Sequence, residues 1–176
     1  LPMFHCNGWC FTWGVTAMGG THVCLRKVVP EEIYRMIEKE KVSHLCAAPT
    51  ILIGMSTYAT ANSIKLKHPL RIMTAGAPPA PTIIQNMESI GVNILHTYGL
   101  TEVFGPHTVC SYKQEWADLP VEEQAKIKSR QGVPYIVAMY VDVVDPLTMQ
   151  PVPRDGETMG EIMFRGNITM KGYLKN

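Results

Sequence analysis

The residues His96-Thr-Tyr-Gly-Leu-Thr-Glu102 follow an apolar, strand-like run and bring together side chains suited to a nucleotide. Tyr98 supplies a ring for stacking. Gly99 permits a tight turn, and the Thr101 hydroxyl can donate to a phosphate oxygen. Glu102 is a hard oxygen ligand of the kind that holds Mg²⁺ jointly with phosphates. A second segment, Thr74-Ala-Gly-Ala-Pro-Pro79, follows the preceding strand-like run. There Gly76 lets a flat group approach the backbone, and Ala77-Pro78 offers a small apolar shelf. Loops after neighbouring parallel strands open on one edge of a sheet, where ligands of α/β proteins bind. An ordinary Gly/Pro turn with a solvated carboxylate remains an equal alternative for either loop alone. Neither GxxxxGK[ST] nor GxGxxG occurs.

The elements around these loops alternate. PEEIYRMIEKEK opens with Pro30 and two acids, places Ile33, Met36 and Ile37 on one face, and ends in lysines, which predicts an amphipathic helix. VSHLCAAP predicts a buried strand halted by Pro49, followed by a helix over TILIGMSTYA. HPLRIM is the next strand. APTIIQNMESIG is a helix with Pro81 near its start, Ile83, Met87 and Ile90 on one face, and Gly91 as its stop. VNILHTYG is the last strand of this series, and THVCLR, Thr21 to Arg26, reads as an earlier one. Strands separated by helices imply an α/β fold with a mostly parallel sheet and flanking helices. From Gly132 the texture changes. A strand around YIVAMYV, a Pro/Asp/Gly-rich connection and a strand over Glu161–Arg165 predict a small antiparallel β subdomain. The polar helix PVEEQAKIKSR joins the two, giving units at 1–131 and 132–176.

Charge and composition exclude some classes. A formal net charge of +1 gives no basis for a nucleic-acid partner, and no apolar run reaches membrane-spanning length. The chain is expected to be a piece of a longer protein, since it starts without Met and stops inside an unfinished pattern. Five cysteines, Cys6, Cys10, Cys24, Cys46 and Cys110, lie mostly in apolar surroundings and read as free buried thiols in a reducing compartment. With His5, His22 and His44 they could also supply zinc ligands, but no CxxC-type pair is present.

YGLTE after an apolar strand, with AGAP upstream, resembles the superfamily of adenylate-forming enzymes: acyl-CoA synthetases, peptide-synthetase adenylation domains and firefly luciferases. LPMFHCNGW is similar to its P-x-FH segment, and GEIMFRGNITMKGY to its GE…GxxxxxGY stretch. The opening residues and YKQEWADLPVEEQAKIKSRQGVPY look most like plant-type acyl-activating enzymes, CoA ligases that are often peroxisomal. The resemblance covers essentially the whole chain, in the family's order. It implies part of the large N-terminal domain of such an enzyme, using ATP, Mg²⁺ and a small carboxylic acid, with CoA as co-substrate.

Carried across residue by residue, Gly76, Ala77 and Pro78 line the adenine site, with His96 and Thr97 at the purine edge and phosphate. Tyr98 stacks on adenine and Gly99 shapes the turn. Thr101 bonds the α-phosphate, Glu102 helps hold Mg²⁺, and His5 lies near the acyl carboxylate. Val103, Phe104 and Gly105 border the acyl tunnel. Ala75 stands where many relatives carry a second glycine. The family's phosphate loop, ribose-binding Asp, hinge and C-terminal domain with its catalytic Lys are absent from these residues, so adenylation by this chain alone is not expected. Two other readings stay open: a truncated pseudo-enzyme that binds nucleotide or a partner, and an adenylating enzyme with another acceptor. The compartment implied is peroxisomal or cytoplasmic, because a C-terminal address would lie outside these residues.

Overall fold

Three helices begin on a proline at their first turn: α2 (Pro30–Glu40), α3 (Pro49–Ala61) and α4 (Pro81–Ser89). Each proline follows an extended residue, Val29, Ala48 or Ala80. The ring fixes a helical φ while restricting its predecessor to extended backbone, which sets the boundary. Helix α2 adds Glu31 and Glu32 in its first turn and Lys39 in its last, both favourable to the helix dipole. Two further helices are α1 (Phe11–Ala17) and α5 (Val121–Lys128). The computed structural model describes residues 1–5, 8 and 10–175; Cys6 and Trp9 lie outside them.

The main sheet has the order β1-β2-β3-β4-β5. Strands β1 (His44–Ala47), β2 (Leu70–Thr74) and β3 (Val92–Leu100) are parallel, with α3 and α4 as crossovers. Strand β4 (Gly105–Cys110) returns antiparallel along β3, and β5 (Val133–Pro134) pairs with β4. A separate antiparallel pair, β6 (Tyr140–Val144) and β7 (Glu161–Arg165), forms the small sheet.

Strand alternation sends one face of the sheet into the helices. Leu70, Ile72, Val92 and Ile94 join Ile33, Tyr34, Ile37, Leu52, Met55, Ile84, Met87 and Ala125 in one buried cluster. His44, Arg71 and Asn93 on the opposite face are exposed. The Tyr34 hydroxyl donates to the Met55 carbonyl at 3.1 Å, and burial pushes its pKa up to about 12. Lys128 of α5 donates to both Glu88 oxygens at 2.8 Å and lies 5.2 Å from the centroid of the Tyr112 ring, tying α5 to the end of α4.

Several expectations change. THVCLR carries no strand; its backbone has no neighbour to pair with among the described residues, and most of its side chains are exposed. The strand expected around YIVAMYV begins only at Tyr140, and Ile136 is 94% exposed in the preceding turn. On α4, Ile84 and Met87 are fully buried while Ile83 and Ile90 are only partly so. Cys10 and Cys24 are exposed, so only Cys46 and Cys110 among the four described cysteines fit the buried-thiol reading; all four are free.

Candidate functional site

Strand register starts the two predicted segments at the same level of the sheet. Thr74, the last residue of β2, pairs with His96, and its carbonyl lies 3.5 Å from the Thr97 hydroxyl. Gly76 adopts φ +90, a left-handed conformation that glycine tolerates without strain. Nothing lies within 4 Å of where a Cβ would stand, and Gly76, Ala77 and Pro78 are all exposed. They form an open shelf.

HTYGLTE is less of a loop than expected. Strand β3 continues to Leu100, four residues past its pairing with β2, because β4 supplies a new neighbour. Only Thr101–Val103 turns, as a single 3₁₀ turn closed by Phe104 at φ 61. Thr101 and Glu102 therefore sit at the tip of a β3–β4 hairpin. The register shifts between Tyr98 and Gly99: Tyr98 faces Thr108 and Gly99 faces Pro106, which leaves His107 as the extra residue of a bulge. Gly99 is the point of closest approach. A Cβ there would overlap the Gly105 carbonyl oxygen and lie 2.9 Å from the His107 nitrogen, so only glycine fits.

The side chains divide into an inner and an outer set. His96 is buried, with Nδ1 at 2.8 Å from the Arg130 carbonyl, which it meets as a donor. Burial lowers its pKa, so the ring is neutral near pH 7. Thr97 is buried, its hydroxyl 3.5 Å from the Thr74 carbonyl. The bulge residue His107 is fully buried, and neither ring nitrogen has a hydrogen-bond partner among the described residues. Burial draws its pKa down; the Tyr140 backbone opposes this without reaching hydrogen-bond geometry. Tyr98 is only half-buried. Its ring lies 5.8 Å from that of Phe164 on β7, which also meets His107 edge-on at 4.9 Å. Phe164 and His107 carried no functional signal in the sequence; the contact joins residues far apart in the chain.

Thr101 is exposed at the hairpin tip, and its hydroxyl makes no hydrogen bond among the described residues. Glu102 accepts a hydrogen bond at Oε1 from the Tyr173 hydroxyl, which is the main cause of its lowered pKa. No group of three His, Cys, Asp or Glu side chains is placed to hold a metal among the described residues. Glu102 thus belongs to no three-ligand cluster among the described residues, which fits a hard cation whose other ligands would come from phosphates and water. His5 is exposed, and its ring centroid lies 4.5 Å from that of Phe4. Val103 is buried, Phe104 is exposed and Gly105 is buried.

A parallel βαβαβ layer that opens a glycine shelf, an aromatic ring, a hydroxyl and a carboxylate on one strand edge has the form of a nucleotide-binding α/β protein. The family model described as AMP-binding enzyme matches residues 1–174, and the chain belongs to that family. It is 52% identical, over its whole length, to a peroxisomal acetate/butyrate–CoA ligase of Arabidopsis thaliana, of which it covers 31%. It is 48% identical to 4-hydroxybutyrate–CoA ligase 2 of Metallosphaera sedula, covering 32% of that protein. The fold matches O-succinylbenzoate coenzyme A synthetase from Bacillus subtilis in complex with ATP and magnesium ion, with a TM-score of 0.77 at 19% identity. That match covers all of this chain and 34% of the synthetase. The chain thus spans about a third of the length of the curated relatives it matches. No helix among the described residues is long and apolar enough to cross a membrane.

Proposed function

We propose that this chain supplies the adenine side of the active site of an ATP-dependent acid–CoA ligase. The observation that supports the reading is the register of β2 and β3, which pairs Thr74 with His96, so that Gly76–Pro78 and Tyr98 each follow a paired strand position while the turn bearing Thr101 and Glu102 continues from β3. Gly76, Ala77 and Pro78 line one side of the adenine and Tyr98 the other. His96 and Thr97 form the floor behind it, and Gly99 holds the hairpin closed.

In the proposed reaction the acid's carboxylate oxygen attacks the α-phosphorus of ATP and pyrophosphate leaves, giving an acyl-adenylate. The CoA thiol then loses its proton as sulfur attacks the acyl carbonyl, and AMP leaves. Thr101 donates a hydrogen bond from its hydroxyl to an α-phosphate oxygen, offsetting charge that grows during attack. Glu102, its pKa lowered by the Tyr173 hydroxyl, would hold Mg²⁺, and the metal would neutralise phosphate charge. Val103, Phe104 and Gly105 border the acyl tunnel. His5 is assigned to the acid carboxylate by its motif.

Residues 1–131 and 132–176 are proposed as the α/β unit and the beginning of the β unit of this domain. The phosphate loop and catalytic Lys of the family lie outside this sequence, and we assign these 176 residues no adenylation on their own. The relatives named above act on small acids, so short aliphatic acids are the first substrates proposed. Peroxisomal residence follows the Arabidopsis relative, with the cytoplasm as the other compartment. The test is pyrophosphate–ATP exchange across a panel of acids, in the full-length protein and its Glu102→Ala variant. Acid-dependent exchange, lost in the variant, supports the reading. Intact ATP binding without exchange for any acid points to a pseudo-enzyme.

A further inference from the structure

Strand β7 and the segment after it touch the β3–β4 hairpin three times. Phe164 packs its ring against Tyr98. Five residues past the end of β7, the Met170 N–H donates to the Glu102 carbonyl at 2.8 Å. The Tyr173 hydroxyl then donates to the Glu102 carboxylate itself. The first contact reaches the proposed adenine-stacking ring, and the other two fix the main chain and side chain of the proposed metal ligand. The turn itself is anchored by buried Val103, but its N-cap has no side-chain bond and Thr101 is exposed.

We propose that Tyr173 is a positioning residue for magnesium binding, holding the Glu102 carboxylate at Oε1 and leaving Oε2 to take the metal. Met170 and Tyr173 act together. The backbone bond fixes where the turn sits, and the phenol fixes the rotamer of the carboxylate, an arrangement that a flexible Glu side chain at an exposed tip lacks by itself. The inference rests on the assignment of Glu102 made above. It deepens that assignment by naming the partner, 71 residues away, that makes the ligand rigid.

The variant that isolates the hydroxyl is Tyr173→Phe, which keeps the ring. In the full-length enzyme, Mn²⁺ standing in for Mg²⁺ is titrated by electron paramagnetic resonance in the presence of a non-hydrolysable ATP analogue. KM values for Mg·ATP and for acid are measured in parallel. Loss of a hydrogen bond to a charged group at an exposed site is expected to weaken Mn²⁺ binding and raise KM for Mg·ATP about fivefold, with the KM for acid unchanged. Tyr173→Leu, which also loses the ring, is expected to be no better. Two results overturn the proposal in different ways. If Tyr173→Phe matches the parent while Glu102→Gln binds Mn²⁺ poorly, Tyr173 has no positioning role and the assignment of Glu102 survives. If Glu102→Gln itself binds Mn²⁺ like the parent, the assignment fails and the proposal fails with it.

Discussion

Replacing Gly99 with alanine is expected to disable the site by a purely steric route. Gly99 is not among the residues with positive φ, so its backbone conformation is open to alanine. Space is what forbids it. The added Cβ would overlap the Gly105 carbonyl oxygen and lie 2.6 Å from the Gly105 carbonyl carbon and 2.9 Å from the His107 nitrogen. All three are backbone atoms, so no rotamer change relieves the clash. The strands must part by about 1.5 Å for the Cβ to regain an ordinary contact of roughly 3.2 Å with the carbonyl oxygen. That movement stretches the ladder where Gly99 faces Pro106 and Leu100 faces Gly105, and overpacking of this kind costs about 1–3 kcal/mol. Thr101 and Glu102 follow immediately and move with the strand, and a displacement of about 1 Å can cost ~100-fold in rate. The assay is pyrophosphate exchange at saturating acid in the full-length protein, alongside a thermal unfolding curve. A large loss of exchange with a lowered midpoint is expected. Parent-like exchange and an unchanged midpoint would refute the hairpin geometry.

Three further outcomes are expected. Gly132→Ala drives a Cβ into the Val109 carbonyl and the Cys110 nitrogen and forces alanine to φ +84, so the β4–β5 pairing should be lost and the unfolding midpoint lowered. Lys128→Ala leaves Glu88 without its partner in a largely buried pair, which should lower stability by about 1–3 kcal/mol in denaturant titration while leaving nucleotide binding intact. Thiol labelling at pH 8 should modify Cys10 and Cys24 well before Cys46, whose thiol burial pushes up to about 11; equal rates for all three would contradict the packing.

His96 gives a pH dependence with a fixed sign. Its folded pKa lies below the ordinary 6.5 because the ring is buried, so the native state binds fewer protons than the unfolded chain. The stability that neutral His96 contributes is complete above the unfolded value and declines as pH falls below about 6.5 towards the folded pKa. His96→Gln should flatten unfolding midpoints measured between pH 7 and 5; an equal slope in parent and variant would show that His96 does not titrate with folding.

Local chemistry made much of the α/β layer readable. Pro30, Pro49 and Pro81 mark helix starts because proline acts on its own φ and its predecessor, whatever the tertiary context. The strands over His44–Ala47, Leu70–Thr74 and Val92–Leu100 are short apolar runs between such signals. Long-range pairing decided the rest. THVCLR has strand-forming residues but no neighbour among the described residues, whereas GPHTVC, of which only Gly105 was assigned a role, becomes β4 because β3 offers it an edge. Helix α1 buries no residue, so no apolar stripe announced it. In the site, the types of Tyr98, Thr101 and Glu102 were legible. The bulge at His107 and the hold of Tyr173 on Glu102 were not, since each depends on strand register or on chain segments far apart in sequence.

The most direct test of the proposed site is a crystal structure of the full-length protein with AMP. The account predicts adenine density between the Tyr98 ring and the Gly76–Pro78 backbone, with the phosphate within hydrogen-bonding distance of the Thr101 hydroxyl. AMP bound elsewhere, with this edge empty, would contradict it.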